Sequence, residues 1–234
     1  MPRDLIAEAA LVGSLRAALA GAADPERAVR MQAYMKSSMP FRGISAPELT
    51  VIARRQLAAH PLPDAASWRE AVFELWHGAE FREERYAALA LLAATPYRAY
   101  RTLDALSLYE ELIVTGAWWD LVDGIATHRL RELLEAQSER MGVVLRGWAG
   151  DRNLWKRRSA IICQVGRRSA TDGDLLLACI EPNLGDRDFF IRKAIGWALR
   201  EYGKANPDVV RHYVAENESR LSGLSRREAL RRLA

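Results

Sequence analysis

The chain has 234 residues, a length that allows one domain or a small pair of domains, and half of its residues are hydrophobic, which is enough for a sizeable core. Its formal net charge is +4, and only four of its 34 basic residues are lysines. This arginine excess fits an anionic polymer as partner, because guanidinium groups bind phosphates through a planar fork, although a high-GC coding bias would produce the same excess.

Several classes of protein are excluded by what the sequence lacks. Two cysteines, Cys163 and Cys179, cannot form a disulfide framework, and both lie in apolar helical stretches as buried free thiols would. The histidines are scattered without the spacing of metal ligands, and the sequence contains neither a glycine-rich phosphate loop nor a Gly-x-Ser-x-Gly motif. The first residues include Asp4 and Glu8, unlike a signal peptide, and no run approaches the roughly 20 apolar residues of a membrane-spanning helix. We therefore expect a soluble cytoplasmic protein with no metal, no cofactor and no membrane partner.

Hydrophobic residues recur at helical spacing along most of the chain, as in the segment 103–113, and no segment alternates as a strand does. Turn residues interrupt the pattern, and several of them are typical helix starts in which Asp, Ser or Asn precedes a proline: Asp24-Pro25, Ser45-Ala46-Pro47 and Asn206-Pro207. Short helices joined by short turns are antiparallel neighbours, and many in series form an α-solenoid. The sequence therefore predicts an all-α fold, a HEAT-like helical repeat solenoid, with residues 1–234 forming a single domain.

Two adjacent tryptophans, Trp118 and Trp119, cannot occupy the same helix face, so one can enter the core while the other faces elsewhere. Trp119 and Asp123 are four residues apart and therefore neighbours on one face. A carboxylate beside an aromatic ring attracts a cationic group. The alternative is that Trp119 packs in the core and that Asp123 caps a helix or pairs with a nearby arginine.

The segment from Arg146 to Arg168 contains seven basic residues and one acid, Asp151. Such a run is usually a solvated surface, but here Ile161, Ile162 and Val165 interrupt it. This pattern is typical of an amphipathic helix with a basic stripe, which favours phosphate binding.

A third segment, 188–202, predicts a helix with a stripe of Lys193, Trp197 and Arg200 at positions i, i+4 and i+7. The opposite side of this helix is filled by residues that predict its core face: Ile191, Ala194, Ile195, Ala198, Leu199 and Tyr202. A tryptophan between two cations on the other face suits a groove that follows a phosphate backbone. The alternative is a cation–π ladder that serves only stability.

These segments resemble the DNA alkylation repair family, the AlkD-like glycosylases. The matching stretches are 31–36, the Trp-Trp-Asp-x-Val-Asp motif at 118–123, Trp-Lys-Arg-Arg at 155–158, and the long run 189–202 that continues into 206–210. The similarity covers about residues 25 to 217.

The resemblance implies a HEAT-like fold with a concave, basic face that binds double-stranded DNA. It implies hydrolysis of the N-glycosidic bond of cationic alkylated purines, N3-methyladenine and N7-methylguanine, in base excision repair, with the lesion left in the base stack. Asp123 matches the catalytic carboxylate of the family, and Trp119 and Trp197 match its two lesion-facing aromatic residues.

The resemblance also implies which residues contact DNA. Arg158 and Arg200 match the arginines that bind the DNA backbone, and Tyr34 matches a further aromatic residue near the damaged duplex. Within the same motifs, we expect further DNA contacts from Lys156, Lys193, Phe189 and Phe190. Nothing in the sequence requires an oligomer, so we expect a monomer.

Two other functions remain open at this point. One is a non-catalytic protein that binds damaged or branched DNA, which the combination of Asp123 with both tryptophans disfavours. The other is a helical-repeat scaffold that binds protein, which predicts a neutral or apolar binding face and no salt-dependent affinity for DNA.

Overall fold

The computed structural model describes residues 3–231 and 233, and within them it is all-helical, with 76% of residues in helices and no strand. The prediction of an all-α fold is confirmed. The fourteen α-helices are α1 (Arg3–Gly21), α2 (Pro25–Met35), α3 (Ala46–Ala59), α4 (Ala65–His77), α5 (Arg82–Ala93), α6 (Leu106–Gly116), α7 (Trp119–Gly124), α8 (Arg131–Ala136), α9 (Ser138–Ala149), α10 (Leu154–Ile162), α11 (Gly173–Ile180), α12 (Phe189–Gly203), α13 (Pro207–Glu216) and α14 (Gly223–Leu230). Short 3₁₀ segments lie at Thr95–Tyr100, Leu103–Ala105, Arg168–Ala170 and Glu181–Asn183, and a π-helical segment at Ile125–Leu130.

The helix starts that the sequence predicted lie at or next to the prolines. Helix α2 begins at Pro25, and the Asp24 carboxylate caps it by accepting a bond from the Arg27 backbone N–H at 2.9 Å. Helix α13 begins at Pro207 directly after Asn206. In α3 the proline is the second helical residue rather than the first, because Ser45 is the N-cap. Proline is tolerated at these positions because the first N–H groups of a helix have no partner within the helix.

The chain divides into two compact units, residues 1–101 and 102–234. The core of the first unit is formed by buried side chains of α1, α4 and α5: Leu11, Leu15, Leu19, Trp68, Val72, Leu75, Trp76, Ala88 and Leu91. The core of the second unit includes Leu112, Leu121, Ile161, Ile195 and Leu199. Cys163 and Cys179 are buried free thiols, as the sequence predicted. The repeat solenoid, its basic face and the single-domain organisation stay predictions.

Among the helices that the structure describes, none has both the length and the apolar character that crossing a membrane requires.

A fully buried carboxylate, Glu83, organises the loop before α3. Its two oxygens accept bonds from three consecutive backbone N–H groups, those of Arg42 at 2.9 Å, Gly43 at 2.9 Å and Ile44 at 3.1 Å. Gly43 has a φ of +85°, and a Cβ there would lie 2.1 Å from the Asp24 carbonyl oxygen. This close approach therefore requires glycine at position 43. Glu83 provides hydrogen-bond acceptors for the backbone N–H groups that the turn buries.

Replacing Glu83 by alanine should lower the free energy of unfolding by about 3 kcal/mol, because it leaves three N–H groups without an acceptor. Chemical denaturation of the purified variant measures this. The matched control is Glu74→Ala, which removes a half-exposed partner of Arg16 and should cost less than about 1 kcal/mol. Equal losses in the two variants would contradict a structural role for the Glu83 network.

Candidate active site

The carboxylate of Asp123 lies near the end of α7, a helix of six residues with irregular backbone on both sides. Ala117, just before it, has a left-handed φ of 42°, and the π-helical segment Ile125–Leu130 follows it directly. The Thr127 hydroxyl donates to the backbone carbonyl of Asp123 at 2.7 Å. Because a π-helical turn contains an extra residue, it changes the direction in which nearby side chains point, and such turns often occur at functional sites.

Asp123 forms a two-pronged ion pair with Arg158 of α10. The Arg158 Nε donates to Asp123 Oδ1 at 2.7 Å, and Nη2 donates to Oδ2 at 2.6 Å. The third guanidinium nitrogen, Nη1, donates to the carbonyl oxygen of Phe190 at 2.6 Å. Arg158 therefore joins α7 and α10 to the first turn of α12 and fixes the orientation of the Asp123 carboxylate.

This ion pair is nearly shielded from water, since the side chains of Arg158 and Asp123 are only 6% and 17% exposed. Burial raises the pKa of the Asp123 carboxyl, and the charge of neighbouring Asp120 raises it further, whereas the Arg158 guanidinium lowers it. The site thus holds a carboxylate that is more basic than usual and is paired with a permanent cation.

The alternative in which Asp123 pairs with an arginine is what the structure shows, although Trp119 is half-buried rather than in the core. This partner, Arg158, is the residue that the family resemblance assigned to the DNA backbone. All three guanidinium nitrogens of Arg158 donate hydrogen bonds to acceptors within the protein. Its contact with a DNA phosphate stays a prediction, and in this geometry its direct effect is to orient Asp123.

An aromatic cluster of Trp118, Trp155 and Phe190 lies at the junction of α7, α10 and α12. The Phe190 ring centroid lies 5.3 Å from that of Trp118 and 5.0 Å from that of Trp155, and Phe189, which is 58% exposed, packs edge-on against Phe190. Trp118 is thus the member of the tryptophan pair that packs in this cluster, although Trp118 and Trp119, the first residue of α7, are both half-buried. Phe190 has a packing role at this junction, and DNA contacts by Phe189 and Phe190 stay predictions.

The two faces predicted for α12 agree with its burial pattern. Five of the six predicted core residues are buried, and Tyr202 is half-buried. On the other side, Lys193, Trp197 and Arg200 are all half-buried. Trp197 lies seven residues after Phe190, about 10 Å along the helix axis. The stripe therefore lies on the same helix whose first turn accepts the bond from Arg158, about one to three turns further along it.

Sequence reasoning missed a residue at this stripe, Glu228 of α14. One of its carboxylate oxygens accepts from Lys193 Nζ at 3.1 Å, and the other accepts from Arg200 Nη1. No local pattern signals this contact, because Glu228 is 28 residues away from Arg200 along the chain.

Four of the seven basic residues in segment 146–168 pair with acids from outside it: Lys156 with Glu110, Arg157 with Asp186, Arg158 with Asp123 and Arg167 with Glu135. Lys156 pairs with Glu110 at 2.8 Å and with Asp151 at 2.6 Å. Arg157 pairs with Asp186 at 3.0 Å. A count of charges along one segment overstates the basic stripe of α10, and DNA binding by Lys156 stays a prediction.

Tyr34 lies in the first unit, at the end of α2, and is 78% exposed. A single exposed ring is normal on a protein surface, and this position leaves the ring accessible to another molecule. Its predicted contact with damaged DNA is untested.

The second unit thus provides one oriented carboxylate, a neighbouring tryptophan on the same helix, and a stripe that holds a second tryptophan. A carboxylate and aromatic ring faces are groups that can stabilise a nearby positive charge. Across residues 3–231 and 233, no cluster of three or more His, Cys, Asp or Glu side chains could hold a metal ion.

Replacing Arg158 by methionine should lower the free energy of unfolding by about 3 kcal/mol at about pH 7, because the Asp123 carboxylate stays buried without its partner. Without the guanidinium, the folded-state pKa of Asp123 should rise further above its unfolded value. When folding raises the pKa of a carboxyl group, the ionised group destabilises the folded protein at pH values above that pKa. This destabilisation disappears when the carboxylate takes up a proton. The difference in the free energy of unfolding between wild type and Arg158→Met, measured by urea denaturation, should therefore become smaller as the pH falls from about 7 to about 4.

The double variant Asp123→Asn/Arg158→Met separates a buried charge from lost packing. It should recover part of the stability that Arg158→Met loses, because no unpaired charge remains. A double variant no more stable than Arg158→Met would show that the charge is not the cause.

Replacing Trp118 and replacing Trp119 should lower the stability of the protein by different amounts. Trp118→Ala should cost about 3 kcal/mol, because Trp118 packs against Trp155 and Phe190. Trp119→Ala should cost about 1 kcal/mol or less, since Trp119 lies outside that cluster. Thermal or chemical unfolding compares the two variants directly, and the reverse order would contradict the assignment of Trp118 as the tryptophan that packs in the aromatic cluster.

Comparisons with known proteins identify the family. A family model for the DNA alkylation repair enzymes matches residues 15–233. Among solved structures, the chain is similar to a predicted DNA alkylation repair enzyme from Enterococcus faecalis, with a TM-score of 0.79 and 31% identity over 91% of this chain and 97% of that chain. A comparison with curated protein sequences found no match. The resemblance predicted from the motifs is confirmed, and the chain belongs to the DNA alkylation repair enzyme family.

Proposed function

We propose that this protein is a DNA glycosylase that hydrolyses the N-glycosidic bond of cationic alkylated purines, N3-methyladenine and N7-methylguanine, in duplex DNA. The observation that carries the proposal is the nearly buried Asp123 carboxylate, which Arg158 fixes with two hydrogen bonds in a chain of the DNA alkylation repair family. Family membership supplies the substrate class, and the carboxylate supplies a group that can perform the reaction.

The chemistry of the substrate requires little acid catalysis. A purine alkylated at N3 or N7 carries a positive charge, so it leaves as a neutral base and takes the electron pair of the C1′–N bond. The sugar then develops oxocarbenium character, and a water molecule attacks C1′ and loses a proton. An enzyme for this reaction must stabilise the positive charge on the sugar and orient the water.

Asp123 suits both tasks. Each carboxylate oxygen has a second lone pair beyond the one that Arg158 uses, so each can accept a hydrogen bond from water. Burial in a region of low dielectric strengthens the interaction of the carboxylate with a nearby positive charge. The raised pKa makes Asp123 a better base, while the arginine favours its ionised form.

The tryptophans and the basic residues complete the proposed site. Trp119, on the same helix as Asp123, and Trp197, on α12, would place π-electrons against the electron-poor sugar and base. Lys193 and Arg200 flank Trp197 and would bind phosphates of the damaged strand. In this proposal the lesion stays in the base stack, and the enzyme contacts the sugar and backbone around it.

The deciding experiment measures base release from duplex DNA that contains a single N7-methylguanine, after subtraction of the release seen without enzyme. Asp123→Asn should reduce the rate by at least about 100-fold, because it removes the charge that stabilises the transition state. This variant should retain its affinity for DNA or gain some, because Asp123 contributes no phosphate contact and its neutralisation weakens the hold on Arg158.

The matched control is Asp120→Asn, which changes the other carboxylate of α7 and should retain most of the activity. Equal activity of wild type and Asp123→Asn would overturn the catalytic assignment. Tight binding to DNA without release by any of the three proteins would favour a non-catalytic binder of damaged DNA.

A further inference from the structure

The C-terminal helix α14 packs closely on α12 at Gly196. A Cβ at Gly196 would lie 2.5 Å from the Glu228 Cβ and 3.0 Å from the Ser225 carbonyl oxygen, so only glycine allows this approach. The Ser225 hydroxyl donates to the Arg192 carbonyl oxygen at 2.9 Å. These contacts fix the position of Glu228 relative to α12.

In that position, Glu228 forms ion pairs with both cations of the α12 stripe, Lys193 and Arg200. It accepts from Lys193 Nζ through one oxygen and from Arg200 Nη1 through the other, and its side chain is 16% exposed. The bond from Lys193 holds the pKa of Glu228 below its usual range, and the charges of Lys193 and Arg200 act in the same direction. The three side chains together therefore carry a net charge of +1 rather than +2.

A carboxylate and a phosphate use the same donors. Both present anionic oxygens to the guanidinium fork and to the ammonium group. A phosphate that binds Lys193 and Arg200 must therefore share these donors with Glu228 or displace it. The lost or weakened ion pairs reduce the free energy that the phosphate contact contributes.

We propose that Glu228 is a positioning residue that holds Lys193 and Arg200 as a built-in phosphate mimic and thereby limits the affinity of this face for duplex DNA. The inference depends on the proposed function, because it takes Lys193 and Arg200 as DNA-backbone contacts. A weaker backbone contact benefits an enzyme that must leave undamaged DNA quickly, since undamaged sites vastly outnumber lesions.

The test measures binding of an undamaged duplex as a function of salt concentration for wild type, Glu228→Gln and Glu218→Gln. Glu218 pairs with Arg226, away from the α12 stripe, so its variant has the same change in net charge without freeing Lys193 or Arg200. Glu228→Gln should bind about eightfold more tightly than wild type at about 0.1 M salt, and the two should converge at about 1 M. Its slope of log affinity against log salt should be steeper by about one phosphate contact.

Glu218→Gln should show a much smaller gain, from the overall change in charge alone. Thermal unfolding of the three proteins accompanies the binding data, because a purely structural role for Glu228 would lower the midpoint and leave the salt slope unchanged. Equal slopes for the two variants, or weaker binding by Glu228→Gln, would overturn the inference. No binding of duplex DNA by any of the three proteins would overturn the proposed function, and with it the inference.

Discussion

The ion pair between Asp123 and Arg158 is the interaction on which the candidate site depends. It joins α7 and α10 and, through the Phe190 carbonyl, the start of α12. A buried ion pair contributes little to stability relative to a well-packed apolar pair, but loss of one partner is strongly destabilising because the other charge stays buried. The two bonds from Arg158 orient the carboxylate, and the aromatic cluster packs the same junction of α7, α10 and α12.

The charges of the second unit explain why composition is a poor guide to its surface. Lys156, Arg157, Arg158 and Arg200 each pair with a carboxylate that lies elsewhere in the chain. An arginine in such a pair contributes to the basic count of the sequence and yet has fewer donors available for a phosphate. The affinity for DNA would then depend on which of these pairs a phosphate can enter, and the pair with Glu228 is more exposed than the pair with Asp123.

Local sequence signals predicted much of the fold and part of the site. Caps such as Asp24 located helix starts, and the spacing of apolar residues predicted both faces of α12, because these features depend on residues within a few turns of one another. The sequence allowed an arginine as partner of Asp123 but could not identify it as Arg158, and it did not predict the contact of Glu228 with the α12 stripe. Both contacts join residues 28 to 35 positions apart through tertiary packing. The π-helical turn after Asp123 was missed as well, since it interrupts the regular period on which helix prediction depends.

The paired carboxylate also bears on how one charge could serve the whole proposed reaction. An isolated buried carboxylate would exert a stronger field on the lesion, but burial would raise its pKa until it took up a proton and lost that charge. The Arg158 guanidinium weakens the field and keeps the carboxylate ionised. During bond cleavage the positive charge of the substrate moves from the purine to the sugar, so the total charge of the site does not change. Asp123 would then need only to lie closer to the sugar than to the base, and stabilisation of the transition state over the bound substrate would follow from that difference in distance.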